Sequence, residues 1–120
     1  MHWISKLLTG LVAVQHLYIL WLEMFAWTTR GKKTFRSFPE HLFEPTKALA
    51  ANQGLYNGFL AMGLFWSLLI QDAEWSRNIA IYFLGCVAVA GMYGGYSASR
   101  TIFFIQGIPA LLALATMLII

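Results

Sequence analysis

The sequence predicts an all-α, polytopic membrane protein built as a compact bundle of four transmembrane helices. One observation is composition: 59% of the 120 residues are hydrophobic and 11% are charged, whereas soluble domains are about half apolar and about a quarter charged. A second is size, because small soluble domains bury only roughly 60–70% of their chain surface, so this chain needs lipid as a second solvent. A third is the presence of four apolar segments of about 20 residues, the length of a membrane-spanning helix.

The apolar segments are too long and too continuous for the strands of a membrane barrel. Such strands alternate polar and apolar residues over about ten positions. Helices also pair their own backbone groups, as hydrocarbon requires. We therefore expect one domain over residues 1–120, with spans at about residues 4–27, 47–70, 79–96 and 102–120.

The first segment is interpreted as a retained helix and not as a secretory signal. Lys6 precedes an apolar stretch, as in a signal peptide, but the stretch continues through the bulky Trp21 and Trp27 without a small-residue cleavage site. Between the later segments we expect a short polar turn at residues 71–78 and a tight turn at residues 97–101.

The loop at residues 28–46 is the long polar stretch of the sequence. Pro39 and Pro45 disfavour a continuous helix there. Phenylalanines interrupt its charges, which indicates that part of the loop lies in the headgroup layer. The alternative is a solvated loop with some buried aromatic side chains.

The distribution of basic residues predicts the orientation. Lys6 and Arg77 fall on the side that holds both termini. The other side holds the larger basic group: Arg30, Lys32, Lys33, Arg36, Lys47 and Arg100. Because cytoplasmic loops carry the excess of lysine and arginine, we expect a bacterial inner-membrane protein with both termini outside and the 28–46 loop in the cytoplasm. Membrane lipids are the expected partner of this loop, and nucleic acid is not, since nothing resembles a folded reader of bases.

Two ionisable residues within the first span call for a role, because such residues are costly in hydrocarbon. His16 and Glu23 are seven residues apart, which is two helical turns, so they share one face of the helix. We expect this face to point toward the interior of the bundle.

Polar residues of the other segments fall at similar depths in the cytoplasmic half. In the second segment, Asn52 with Tyr56 and Gln53 with Asn57 are spaced four apart, on adjoining strips of one helix. The alternative for each amide is a simple hydrogen bond between helices, worth about 0.6 kcal/mol on average. The sequence predicts a ligand-binding pocket lined by His16, Glu23, Asn52, Gln53, Tyr56, Asn57, Tyr93 and Gln106.

No metal site or cofactor is expected. His2 and His41 fall outside the spans, and one histidine with one glutamate provides too few ligands for a closed zinc site. Cys86 is the single cysteine, so no internal disulfide can form, and a thiol in an apolar run behaves as a small hydrophobe.

The third and fourth segments contain features that affect helix packing. Gly91 and Gly95 form a GxxxG pattern, which lets helices approach closely. We expect this pattern to pack inside the bundle; a seam between two copies, giving a homo-oligomer, is the alternative. Pro109 is expected to kink the last helix and to release a carbonyl near Gln106.

Four stretches of the chain are similar to a known family in the same order: HLYILWLEMFAW from His16, NQGLYNGFLAMGL from Asn52, FLGCVAVAGMYGG from Phe83 and QGIPALLALA from Gln106. Together they resemble the bacterial family of small integral membrane proteins known as domain of unknown function 1304. The resemblance covers nearly the whole chain, and NQGLYNGFL is its most specific part. It implies the four-helix layout and no particular activity.

Three functions fit these observations. The first is binding or transport of a small amphipathic or cationic molecule, with Glu23 as counter-ion or proton carrier and Tyr56 and Tyr93 as aromatic walls. The second is an intramembrane enzyme that acts on a lipid-soluble substrate, with His16 and Glu23 as an acid–base pair. The third is a structural or accessory membrane subunit whose polar residues only join helices.

Overall fold

The computed structural model describes the whole chain, Met1–Ile120, and contains helices and no strand. The all-α class predicted from the sequence is confirmed. The helices are α1 (Trp3–Phe25), α2 (Arg30–Thr34), α3 (Lys47–Leu69), α4 (Ala73–Ser97), α5 (Arg100–Ile102) and α6 (Ile108–Ile119), with a 3-10 turn at Glu40–Leu42 and a π-helical segment at Phe103–Gly107.

Three helical stretches are long and apolar enough to cross a membrane: Trp3–Phe25, Ala73–Ser97 and Arg100–Ile119. Helix α3 is as long as α1, at 23 residues each. Its first half carries the amides Asn52, Gln53 and Asn57, which lower its mean hydropathy. Three of the four predicted spans therefore have both the length and the composition of a membrane helix.

The chain divides into two compact units. Unit 1 comprises Met1–Val14 and Leu60–Ile120, and unit 2 comprises Gln15–Phe59. Helices α1 and α3 each contribute residues to both units, whereas α4, α5 and α6 belong to unit 1 and α2 belongs to unit 2.

Unit 1 contains an apolar core in which half of the residues are alanines, so helix backbones can approach closely. Two of the hydroxyl-bearing residues buried in this unit are hydrogen-bonded, as buried polar groups generally are, whereas the buried hydroxyl of Thr9 has no hydrogen-bond partner. Ser76 Oγ donates to the Ser67 carbonyl at 2.7 Å, and the hydroxyls of Ser5 and Thr116 are 2.9 Å apart. The core residues are Val12, Ala13, Leu64, Ala80, Leu84, Val87, Ala88, Ala110, Ala113 and Met117.

Helix α4 begins earlier than the hydropathy pattern indicated. The Asp72 carboxylate accepts a hydrogen bond from the backbone N–H of Trp75 at 2.9 Å, and Glu74 lies in the first turn. Acidic residues at these positions stabilise a helix N-terminus by capping it and by opposing its dipole. The polar turn expected at residues 71–78 is therefore wrong for most of its length, because residues 73–78 form the first turns of the helix.

Helix α4 and the π-helical segment approach each other at glycines. A Cβ atom at Gly91 would lie 2.5 Å from the backbone nitrogen of Gly107, and one at Gly95 would lie 2.6 Å from Cβ of Phe103. Only a residue without a side chain fits at such distances. The expected packing of the GxxxG pattern within the chain is thus confirmed, while its use between two copies stays a prediction.

The segment before Pro109 is π-helical. Proline has no backbone N–H, so it cannot donate to the carbonyl four residues back. The chain forms a wider turn at Phe103–Gly107, where the N–H of Ile108 bonds to a carbonyl five residues back. This π-helical turn is a local widening that inserts one residue, whereas the kink at Pro109 and the released carbonyl near Gln106 stay predictions.

In unit 2, the 28–46 loop folds around Trp27. The indole ring lies 5.5, 5.6 and 4.8 Å, between centroids, from Phe35, Phe38 and Phe43; these four residues are called the aromatic cluster below. The indole N–H also donates to Thr46 Oγ1 at 3.1 Å. Phe43 is 1% exposed, so this loop does bury an aromatic side chain, while its location in the headgroup layer or in water stays a prediction.

Replacing Gly91 by alanine is expected to lower the free energy of unfolding by about 1–3 kcal/mol, the usual cost of overpacking a filled interior. The new Cβ atom would meet backbone atoms of Gly107, which cannot turn aside as a flexible side chain does. The measurement is unfolding in mixed micelles by increasing amounts of a denaturing detergent.

Gly85→Ala is the matched control for this experiment. A Cβ at Gly85, on the same helix, has nothing within 4 Å. Removing a helical glycine there should leave stability unchanged or raise it by up to about 1 kcal/mol. Equal destabilisation by both alanines would contradict the close approach of α4 to Gly107.

Candidate functional site

A glutamate and an asparagine from two different helices are hydrogen-bonded in unit 2. Asn57 Nδ2, on α3, donates to Oε1 of Glu23, on α1, at 2.6 Å. Both side chains are partly buried. Among the predicted site residues that lie in unit 2, these two are brought into direct contact.

Two glycines in α3 let this helix approach α1 within unit 2. A Cβ atom at Gly54 would lie 2.7 Å from Cγ of Met24 and 3.0 Å from Cβ of Glu23. One at Gly58 would lie 2.5 Å from Cδ1 of Leu20. Because glycine has no side chain, the two helices lie close enough for the amide of Asn57 to reach the carboxyl group of Glu23.

The face of α1 that carries His16 points into the protein. The side chain of His16 is 0% exposed, and Glu23, two turns further along, is partly buried. Leu20 lies between them on the same face and contacts Gly58. The inward orientation expected for this face from its seven-residue spacing is therefore confirmed.

The carboxyl group of Glu23 has a neutral hydrogen-bond partner. No lysine or arginine lies within ion-pair distance of this carboxyl group. The ion pair found in unit 2 is elsewhere, between Lys32 Nζ and Glu40 Oε1, which are 3.8 Å apart. A carboxylate that is partly removed from water is costly unless a hydrogen bond or a positive charge compensates it. Asn57 provides a hydrogen bond and no charge, so this site can chemically accept a cation or a proton.

Three predicted pocket residues of α3 lie on its exposed side. Asn52 and Gln53 are exposed, and Tyr56 is 63% exposed, with its ring edge-on to Phe59 at a centroid distance of 5.8 Å. All four predicted residues of α3 lie on one helix, as expected from their spacing. Of the four, Asn57 is the residue that contacts α1.

The two remaining predicted residues belong to unit 1. Tyr93, near the end of α4, is 69% exposed, and Gln106 is partly buried within the π-helical segment. The gathering of all eight residues into one pocket stays a prediction. No group of three or more histidine, cysteine, aspartate or glutamate side chains is arranged to hold a metal ion.

Sequence reasoning overlooked Gly54 and Gly58 as the residues that position the site. They have the same GxxxG spacing that was recognised at Gly91 and Gly95. The GxxxG spacing was therefore visible in the sequence, but the neighbouring amides were interpreted as hydrogen-bonding residues and the glycines between them were not considered. Gly107, which lies against Gly91, was overlooked because a lone glycine has no spacing to recognise.

Fold and site together define a small all-α protein with three helices apolar enough to span a membrane and a glutamate–asparagine pair between two helices. The chain belongs to the family described as "Protein of unknown function (DUF1304)", whose model matches residues 10–118; the resemblance noted from the sequence is confirmed. It is 34% identical over 117 residues to "Uncharacterized protein YpaA" of Lactococcus lactis, with 92% of this chain and 93% of that protein covered. No solved structure matches the chain.

Replacing Asn57 by alanine is expected to lower the free energy of unfolding by about 1 kcal/mol, at the low end of the cost of leaving an acceptor without its donor, because Glu23 is only partly buried. The lost interaction is the 2.6 Å hydrogen bond to Glu23. The measurement is thermal unfolding of the detergent-purified protein, followed by helical circular dichroism.

Asn52→Ala serves as the control for Asn57→Ala. Both positions lie in α3, so the gain in helix propensity is about the same in the two variants. Because Asn52 is exposed, its replacement should change stability by less than about 0.5 kcal/mol. If the two variants unfolded at the same temperature, the hydrogen bond to Glu23 would not contribute to stability.

Proposed function

We propose that the protein binds or transports a small amphipathic or cationic molecule, with the carboxyl group of Glu23 as the charged anchor. The observation that carries this proposal is a carboxyl group on an apolar helix that pairs with the neutral Asn57 and with no lysine or arginine. Ionisable residues within membrane helices are rare and mark ligand or ion pathways.

The proposal includes four membrane spans in the bacterial inner membrane, α3 being the fourth. With 23 residues, α3 is about 35 Å long at 1.5 Å per residue, enough for a hydrocarbon core of about 30 Å. Its exposed amides Asn52 and Gln53 lie near the end where the headgroup region begins. An even number of spans puts both termini on the same side, and the basic residues of the 28–46 loop favour the cytoplasm for that loop and the outside for the termini.

A cation is the favoured ligand because of what surrounds the carboxyl group. A carboxylate has about four acceptor sites, of which Asn57 uses one. Tyr56, one residue before Asn57 on α3, exposes its ring away from this pair, and no lysine or arginine fills the remaining acceptor sites. A binding site and a transport pathway share these requirements.

The expected result for Glu23→Gln is the loss of a bound small molecule. Native mass spectrometry of the full chain, with tetraphenylphosphonium as the lipophilic cation probe, should give an adduct with the wild type. The adduct should weaken at least about tenfold in Glu23→Gln, since the charge–charge attraction disappears while the shape of the side chain is kept; tenfold corresponds to about 1.4 kcal/mol.

Glu44→Gln is the control for charge alone, since Glu44 is an exposed carboxylate in unit 2. It should bind the probe like the wild type. Equal probe binding by the wild type and Glu23→Gln would contradict the proposal. It would favour a structural or accessory subunit, in which the Glu23–Asn57 hydrogen bond only joins two helices.

A further inference from the structure

A hollow in the 28–46 loop is lined by three basic side chains. Lys32, Lys33 and Arg36 line it together with Ser37, and Glu40 is its acidic residue. The local balance is therefore strongly positive. A surface potential of this sign attracts anions.

The ion pair in this hollow is too weak to neutralise it. Lys32 Nζ and Glu40 Oε1 are 3.8 Å apart, and the two side chains are 39% and 85% exposed. Exposed pairs of this kind contribute little. Lys33 and Arg36 form no ion pair with a carboxylate, so two of the three cations are uncompensated by side-chain charge.

The hollow has a partly fixed geometry. Arg36 Nε donates to the carbonyl of Lys33 at 3.1 Å, which leaves the terminal nitrogens of the guanidinium for another acceptor. Phe38 and Phe43, which also line the hollow, belong to the aromatic cluster, and their rings meet edge to face at 4.9 Å. The basic residues of the hollow are therefore next to a packed cluster of aromatic rings.

We propose that this hollow binds the phosphate group of an anionic phospholipid. The inference rests on the membrane spans of the proposed function, because α1 ends at Phe25 and α3 begins at Lys47, so that the loop between them meets the headgroup layer. A guanidinium and two ammonium groups suit a phosphodiester. Clusters of basic residues next to a membrane helix attract anionic headgroups.

Two features of the hollow favour a lipid over free phosphate. The aromatic cluster provides an apolar base beside the charges, and partly exposed Phe35 and Phe38 suit the boundary between headgroups and acyl chains. The hollow is also open, which lets a headgroup enter while its acyl chains remain in the bilayer.

The test is native mass spectrometry of the full chain from mixed micelles that contain equal amounts of phosphatidylglycerol and phosphatidylcholine. The wild type should carry more phosphatidylglycerol, because phosphatidylcholine cancels its phosphate charge with an ammonium group. In the triple variant Lys32→Gln, Lys33→Gln, Arg36→Gln, this preference should fall at least about fivefold, the effect of one basic residue near an anionic surface.

Removing cations elsewhere is the matched control. The double variant Lys6→Gln, Arg77→Gln changes exposed basic residues outside the loop and should keep the preference. Glu23→Gln should keep it as well, so that failure of the cation-binding function and failure of the lipid site are distinguishable. An equal loss in the double variant would overturn the proposal, as would a wild type without preference.

A measurement on the wild type covers the case in which the triple variant does not fold. The preference for phosphatidylglycerol should weaken when salt rises from about 0.01 to about 0.1 M, because the screening length shortens from about 30 to about 10 Å. A preference that is independent of salt would contradict the site. Displacement of the lipid by an equimolar amount of inorganic phosphate would show a free-phosphate site and overturn the lipid proposal.

Discussion

Close backbone contact at glycine and alanine is the constraint on which the other features of this protein depend. Lipid tails are as apolar as leucine, so helices in a membrane gain little from burying apolar side chains and are held by close packing. In unit 1, the backbone of Gly91 lies against that of Gly107. In unit 2, Gly54 and Gly58 bring α3 against α1. Each unit thus contains glycine contacts that set the distance between two of its helical segments.

The hydrogen bond of the candidate site follows from the second of these contacts. Asparagine and glutamate have short side chains, so a 2.6 Å bond between Asn57 and Glu23 requires helix backbones that are close. A Cβ at Gly54 would already lie 3.0 Å from the Cβ of Glu23. A residue that forms no side-chain interaction therefore decides whether the carboxyl group has a donor. The chemistry of the site is a consequence of packing.

The all-α class and the four long helices could be predicted because composition and segment length are properties of whole segments. The start of α4 could not, since its aspartate cap acts on a few backbone groups and leaves no trace in hydropathy. The hydrogen-bond partner of Glu23 could not be predicted from the sequence either. Sequence spacing shows which residues share a face but not which helix that face meets, and so Asn52 looked equivalent to Asn57. What separates them is the helix face: Asn57 is three residues after Gly54 and so shares its face toward α1, whereas Asn52 is two residues before Gly54 and points to another side.

A neutral donor beside Glu23 has a consequence that a basic residue would not have. A lysine at position 57 would form an ion pair with the carboxylate, and a cationic ligand would first have to displace it. Asn57 positions the same oxygen through a hydrogen bond and carries no charge, so the attraction of the carboxylate for a cation, which is strong where water is scarce, is not cancelled. The amide therefore holds the carboxyl group in place without neutralising it, which is what the proposed cation-binding function requires.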